Sequence, residues 1–191
     1  MGRVPRPRGQ AGLMGVPRYL RDALRDVVGP AVRAHGYCGT SPTWRKTSDL
    51  GDVSVITVQS SAWNSADSGS CVVNLGVAPR PWLDRELLAG DSAPGRRDRP
   101  GASECLWWCR VHPQTSIDPH REQWWCYHDE PSAQQVAEAI VTALESTWFA
   151  TLDALLVPDE FRRRLLAGDP GFEMWGDDPS ELDGLLRRMG R

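Results

Sequence analysis

The fold of this chain is decided by the stretch Ser70-Cys71-Val72-Val73-Asn74-Leu75-Gly76-Val77-Ala78. Alternate side chains of a β-strand point to opposite faces of its sheet. The more apolar set, which begins at Cys71 and ends at Val77, predicts the face in the core. Asn74 belongs to the other set, so a polar side chain is expected on the opposite face.

More strand patterns lie on both sides of this stretch. Residues 43–47 and 52–60 precede it, and the aromatic segments 104–112 and 121–128 follow it. The connections between the first three are short and rich in Ser, Asp and Gly, which indicates antiparallel neighbours. We therefore expect an antiparallel meander of about five strands whose last two form an aromatic hairpin.

Helical patterns frame the strands. Apolar residues recur at helical spacing from residue 17, and Gly29-Pro30 should kink or divide this first helix. Later, Ser132 followed by Gln135 predicts a capping box that opens a long helix, which ends before Pro158. The predicted apolar stripe of the long helix is Val136, Ile140, Leu144, Trp148, Leu152 and Leu155. The expected fold class is α+β: the meander flanked by an N-terminal helix and a long C-terminal helix, with a short helical tail.

Composition divides the chain into three parts. Residues 1–16 are rich in Arg, Pro and Gly without hydrophobic periodicity, which predicts a disordered arm. Residues 17–157 carry the α+β pattern, interrupted at 79–103 by what we expect to be a long surface loop. Residues 158–191 predict an acidic helical tail.

The charge and the cysteines of the chain indicate which functions are disfavoured and in which cellular compartment the protein is expected. With 22 basic and 25 acidic residues the net charge is −3, so no overall basic field favours nucleic acid. The five cysteines are an odd number and lie in apolar runs, which predicts free thiols in a reducing, cytoplasmic compartment. No stretch has the length and apolarity expected of a signal peptide or of a membrane span.

A dense group of cysteines and histidines raises the possibility of a zinc site. Its members are Cys105, Cys109, His112, His120, Cys126 and His128. On one strand, Cys105 and Cys109 would be ~13 Å apart, too far to share a metal. Cys126 and His128 could still chelate with a group from a neighbouring strand. We interpret the cysteines as buried small side chains and expect no metal and no cofactor.

No catalytic residues can be assigned. The Gly90 to Gly95 segment lacks the strand that leads into a nucleophile elbow. The acid and base candidates are Asp118, His120, His128, Asp129 and Glu130. The presence of Asp129 and Glu130 needs no catalytic explanation, because negative charge is favoured beside the N-terminus of a helix. The chain thus favours binding over catalysis.

Polar side chains embedded in apolar strands are the candidate binding residues. Arg45, Gln59, Asn74 and Arg110 need partners if buried, so they either tie the sheet together or line a recess. Trp108, Trp124 and Trp125 join them as candidates, because adjacent tryptophans put indoles on both faces of the aromatic hairpin.

From about Leu20 to Leu156 the chain resembles the bacterial domain-of-unknown-function family numbered 4304. The segments that carry the resemblance are His35-Gly36-Tyr37, Thr43-Trp44-Arg45, Val58-Gln59-Ser60-Ser61, Val73-Asn74-Leu75-Gly76-Val77, Cys105-Leu106-Trp107, Arg110 and Trp124-Trp125. The resemblance implies a compact α+β domain without an established reaction, and it singles out Gln59, Asn74, Arg110 and Trp125. His112 stands where the family pattern has glycine, and the 79–103 connection is longer than in the family.

Two functions follow as hypotheses. The first is a noncatalytic protein-binding module of the immunity or defence-accessory kind, which engages another protein through the aromatic hairpin and acidic tail. The second is an enzyme or small-ligand binder whose pocket gathers Arg45, Gln59, Asn74 and Arg110 around an anionic group. Nucleic-acid binding through Arg and Trp is the least favoured.

Overall fold

The computed structural model describes residues 16–89, 99–113, 124–172 and 179–189. The predicted disordered arm therefore lies outside the described residues, apart from Val16. The first helix comprises α1 (Val16–Ala23), a wider π-helical turn (Leu24–Val28) and α2 (Gly29–Ala34). In the wide turn the Gly29 N–H donates to the Leu24 carbonyl. Proline has no N–H and its ring crowds the preceding turn, so the extra residue ahead of Pro30 accommodates it without a break.

The second long helix begins earlier than the sequence predicted. It comprises α4 (Glu130–Ala143), a π-helical turn (Leu144–Trp148) and α5 (Phe149–Leu155). Its N-cap is Asp129, which accepts a hydrogen bond from the Ser132 N–H at 2.8 Å, so Ser132 is the third helical residue and not the cap. An aspartate is an effective N-cap and proline is favoured in the first turn of a helix. The helix therefore begins nearer the N-terminus than the sequence predicted.

The sheet is antiparallel and contains a five-strand meander, as predicted, but its first strand, at residues 38–40, was not among the predicted strands. Its strands in order are β1 (Cys38–Thr40), β2 (Thr43–Thr47), β3 (Val53–Ser60), β4 (Gly69–Ala78) and β5 (Trp107–Val111). A sixth strand, β6 (Trp125–Tyr127), lies beside Gly69–Cys71 of β4, along the edge where β5 pairs with residues 73–77. The predicted aromatic hairpin is therefore wrong: β5 and β6 both pair with β4. At ten residues β4 is long enough to pair with both.

The predicted loop at 79–103 begins with a helix. Helix α3 (Arg80–Ala89) buries Trp82 and Leu83 in the core, and a 3-10 turn (Ala102–Glu104) precedes β5. The Arg80 N–H at the start of α3 donates to the Asp52 carboxylate at 2.7 Å. Because this cap comes from residue 52, the local sequence carried no signal for it.

The tail packs on the domain. It contains α6 (Pro158–Ala167) and α7 (Pro179–Met189), and it buries Phe161 and Leu185. Between these helices the chain reaches β5: the Trp108 N–H donates to the Gly171 carbonyl at 2.8 Å. The Trp107 indole N–H donates to the Pro170 carbonyl at 3.0 Å. The backbone bond from Trp108 pairs the outer side of β5, which is otherwise a sheet edge, and the indole bond holds Trp107 against the same segment.

The core lies between the long helices and one face of the sheet. This face carries Trp44, Ile56 and Leu75, all fully buried. Lys46, the chain's single lysine, pairs from the same face with Asp153 of α5 at 2.7 Å. The buried residues of the predicted long-helix stripe are Val136, Ile140, Leu144, Leu152 and Leu155. In the described residues no single helix has the length and apolarity to cross a membrane, although the bent pair Glu130–Leu155 and Pro158–Ala167 meets these criteria when taken together.

Candidate functional site

The sheet face opposite the long helices carries a row of polar side chains. Strand register places Thr43 opposite Thr57, Thr57 opposite Asn74 and Asn74 opposite Arg110. The next row on the same face contains Arg45, Val55, Gly76 and Trp108. We call the cavity over these rows the sheet recess. Its position follows from strand alternation, because residues two apart on each strand share a face.

The floor of the recess contains a hydrogen-bonded chain with a fixed direction. The Arg110 Nε donates to the Asn74 Oδ1 at 3.1 Å, and the Asn74 Nδ2 donates to the Gln59 Oε1 at 2.8 Å. A guanidinium can only donate, so it fixes which end of the buried Asn74 amide faces it, and Asn74 in turn fixes the Gln59 amide. Gln59 itself is exposed, and its remaining polar atom is the Nε2 donor.

Arg45 ties the recess to the segment before β5. Its Nε donates to the Pro100 carbonyl at 2.9 Å and its Nη2 to the Arg99 carbonyl at 3.4 Å. The pKa of Arg45 is lowered, first by burial and then by the neighbouring charge of Arg99. Arg45 makes no ion pair within the described part of the chain.

The recess encloses about 530 Å³, a volume suited to a small organic ligand. Trp108 forms part of its wall, and the Arg110 guanidinium carbon is 5.4 Å from the centre of the Trp108 ring. The wall near Gly76 is close-packed, because a Cβ there would lie 2.7 Å from the Ala102 carbonyl oxygen. The described lining residues are Pro42, Thr43, Arg45, Thr57, Val58, Gln59, Ser60, Asn74, Gly101, Ala102, Ser103, Trp108 and Arg110.

Five of the seven predicted binding residues meet in this recess: Arg45, Gln59, Asn74, Trp108 and Arg110. The other two do not line it. Trp125 is buried on the core face opposite Cys71, and Trp124 is half-buried just before β6. Whether the five bind a ligand stays a prediction.

Sequence reasoning missed the small polar residues of the recess. Thr43 and Thr57 lie on the floor, where the Thr57 Oγ1 donates to the Thr43 Oγ1 at 3.3 Å, and Ser60 and Ser103 lie at its sides. Strand alternation could have found both threonines, because each precedes a predicted residue on the same face by two positions. Ser103 could not be placed, because only tertiary packing brings the 3-10 turn to this face.

The cysteine and histidine group does not assemble in the described residues. No group of three or more His, Cys, Asp or Glu side chains in this part of the chain could hold a metal. Cys105 is buried, and burial raises the pKa of its thiol. Cys126 and His128 are exposed, and His120 lies outside the described residues.

Among the acid and base candidates, Asp129 has a structural role. Asp129 caps α4, and its hydrogen bonds from Ser132 lower the pKa of its carboxyl. Glu130 is the first residue of α4. Asp118 lies outside the described residues.

Comparison with known families points to one family. The family model described as Domain of unknown function (DUF4304) matches residues 28–154, about two thirds of the chain. The match includes all five predicted residues that line the recess and excludes α6 and α7. No curated protein and no solved structure matches the chain.

Proposed function

We propose that this chain, which belongs to the DUF4304 family, binds a small anionic ligand in the sheet recess. The observation that carries the proposal is the direction of the Arg110, Asn74 and Gln59 chain, which presents an N–H donor at its exposed end. Oxyanions are acceptor-only groups, so they complement a site built from donors.

The charge of the recess supports the same ligand class. Its described lining contains two arginines and no carboxylate, in a chain with a net charge of −3. A cation-lined concave site in an otherwise acidic protein attracts anions selectively. The half-buried Trp108 adds an apolar wall, which suits an organic anion better than a hydrated inorganic one.

Calorimetric titration with inorganic phosphate and with a short monocarboxylate tests the proposal. We expect saturable binding that weakens as sodium chloride is raised, because salt screens the arginines and chloride competes. Arg110→Gln should weaken binding roughly tenfold or more, through loss of a charge-assisted hydrogen bond. Arg25→Gln is the matched control, because Arg25 is exposed on the first helix. Equal loss in both variants, or no saturable binding by the unsubstituted protein, would contradict the proposal.

The second candidate is a protein-binding role of the immunity or defence-accessory kind. It is favoured by Trp63, a residue that is 93% exposed in the β3–β4 turn. The turn is braced by Asn64, which accepts from the Ser70 N–H and donates to the Ser70 carbonyl. Tryptophan is enriched among the residues that contribute most of the binding energy at protein interfaces, and this one is exposed on a turn held by hydrogen bonds. This role is tested by affinity purification from the native cells, with the unsubstituted protein and the Trp63→Ser variant as baits. We expect the unsubstituted protein to retain a stoichiometric partner that the variant loses.

The compartment we propose is the cytoplasm. Cys38 and Cys126 are exposed and carry free thiols. Exposed free thiols persist in a reducing environment. Thiol titration of protein taken rapidly from cells should find the two exposed cysteines unmodified, and their recovery as disulfides would contradict the proposal.

A further inference from the structure

We infer that the ligand of the sheet recess carries two oxyanions, one bound near Arg110 and the other near Arg45 and Arg99. The inference rests on the proposed function and adds the class of ligand: an elongated dianion such as an α,ω-dicarboxylate or a bisphosphate. A single oxyanion is the competing ligand.

The two ends of the recess are set by strand order. Arg45 is on β2 and Arg110 is on β5, with β3 and β4 between them. Three strand spacings across the sheet and two residues along it separate their backbones by ~16 Å. The Arg110 Nε is held one strand inward by Asn74, and the Arg45 Nε is held by Pro100. Two strand spacings and the two-residue offset therefore leave ~12 Å between the two ends of the recess, farther than one carboxylate can reach.

The Arg45 end has the character of a second anion site. Arg45 is bonded to the carbonyls of Pro100 and Arg99, which leave its charge unneutralised. Arg99 brings a second positive charge close enough to act on it. The carboxylate of Glu104 also acts on Arg45, but its Oε2 already accepts from the Gly101 N–H at 2.6 Å. An oxyanion bound here would offset the repulsion between the two arginines.

The middle of the recess suits a neutral spacer. Thr57 and Asn74 form the floor between the two ends, and neither is charged. The Asn74 amide is committed on both sides to Gln59 and Arg110, and the Thr57 hydroxyl is bonded to Thr43. An aliphatic or hydroxylated chain can lie across this floor without leaving a buried charge unpaired.

Titration with dicarboxylates of increasing length tests the inference. We expect the series from succinate to sebacate to show one optimum length, bound about tenfold or more tightly than the monocarboxylate of equal length. A parallel series of α,ω-alkanediol bisphosphates distinguishes carboxylate from phosphate as the source of the oxyanions. An optimum in either series supports the inference.

Variants at the Arg45 end separate two anion sites from one. Arg99→Gln removes a charge without touching the bonds that Arg45 makes to the Pro100 and Arg99 carbonyls. It should weaken binding of the optimal dianion severalfold more than binding of the monocarboxylate of equal length, which can still bind at the Arg110 end. Arg45→Lys keeps the charge and should retain more of the preference for the dianion than Arg45→Gln.

The outcomes distinguish this inference from the proposed function. If the protein binds monocarboxylate and every dicarboxylate or bisphosphate equally well, the two-ended inference is overturned and anion binding stands. If Arg99→Gln weakens monoanion and dianion to the same degree, the inference is overturned as well. If no anion of any length binds, the proposed function fails and this inference fails with it.

Discussion

Replacing Asn74 by aspartate should reverse the direction of the hydrogen-bonded chain at the floor of the recess. The new carboxylate can still accept from the Arg110 Nε, but it has no N–H to give to the Gln59 Oε1. Two oxygens at the present 2.8 Å would repel, so the Gln59 amide must rotate by half a turn and offer its own N–H inward. The recess then presents an acceptor where it had a donor.

The loss of anion affinity can be sized from this change. One donor to an anion is worth about 1.5 kcal/mol or more. Taking roughly 8 Å between the new carboxylate and the bound oxyanion, the added charge contributes about 2 kcal/mol of repulsion at an effective dielectric constant of about 20. Together these predict about 3.5 kcal/mol, a weakening of roughly two to three orders of magnitude in Kd.

Calorimetric titration of Asn74→Asp with the best-binding anion measures this loss. Thermal unfolding should show that the variant remains folded, because the carboxylate keeps its bond to Arg110. Gln134→Glu adds the same charge on an exposed site of α4 and should bind like the unsubstituted protein. A folded Asn74→Asp variant that binds the anion with unchanged affinity would refute the directional argument.

Two further predictions concern stability. Gly171→Ala should destabilise the fold by about 2–3 kcal/mol in urea denaturation, because φ is +107° there and a Cβ would lie 2.3 Å from the Trp107 indole nitrogen. Gly184→Ala, where a Cβ meets nothing within 4 Å, should leave stability unchanged or slightly raised, and equal effects of the two changes would count against the packing argument. Burial raises the pKa of Asp52, which caps α3 through Arg80, so the folded state binds this proton more readily than the unfolded chain. The stabilisation that protonated Asp52 adds to the free energy of unfolding should be fully present below the ordinary carboxyl pKa of ~3.9. It should be lost as the pH rises through the raised pKa of Asp52 in the folded state. Asp52→Asn should remove that part of the pH dependence of unfolding, and parallel profiles for the two proteins would contradict it.

Local patterns predicted the elements well where the signal and its partner lie close together in sequence. Strand alternation correctly assigned the core face of β4, and helical spacing identified Val136, Ile140 and Leu144 as core residues. The full length of helix α3 was not predicted, because its cap, Asp52, comes from another part of the chain. The pairing of β6 with β4 was missed for a related reason, since adjacency in sequence favours a hairpin and only the length of β4 allows both neighbours.

The residues of the candidate site could be identified from the sequence, but their arrangement in space could not. Arg45, Gln59, Asn74 and Arg110 stand out in the sequence because they interrupt apolar strands, where polar groups require partners. Their placement in one recess depends on strand order and register, which the four short segments do not specify.

By itself the sequence determined the α+β class, the helix stripes and the core face of Ser70–Ala78, because these depend on side-chain periods of 3.6 and 2 residues within single elements. Only the tertiary structure decided that Arg110 orients Asn74 and Asn74 orients Gln59. That order requires three strands in register, and contacts between strands follow from how the whole chain packs.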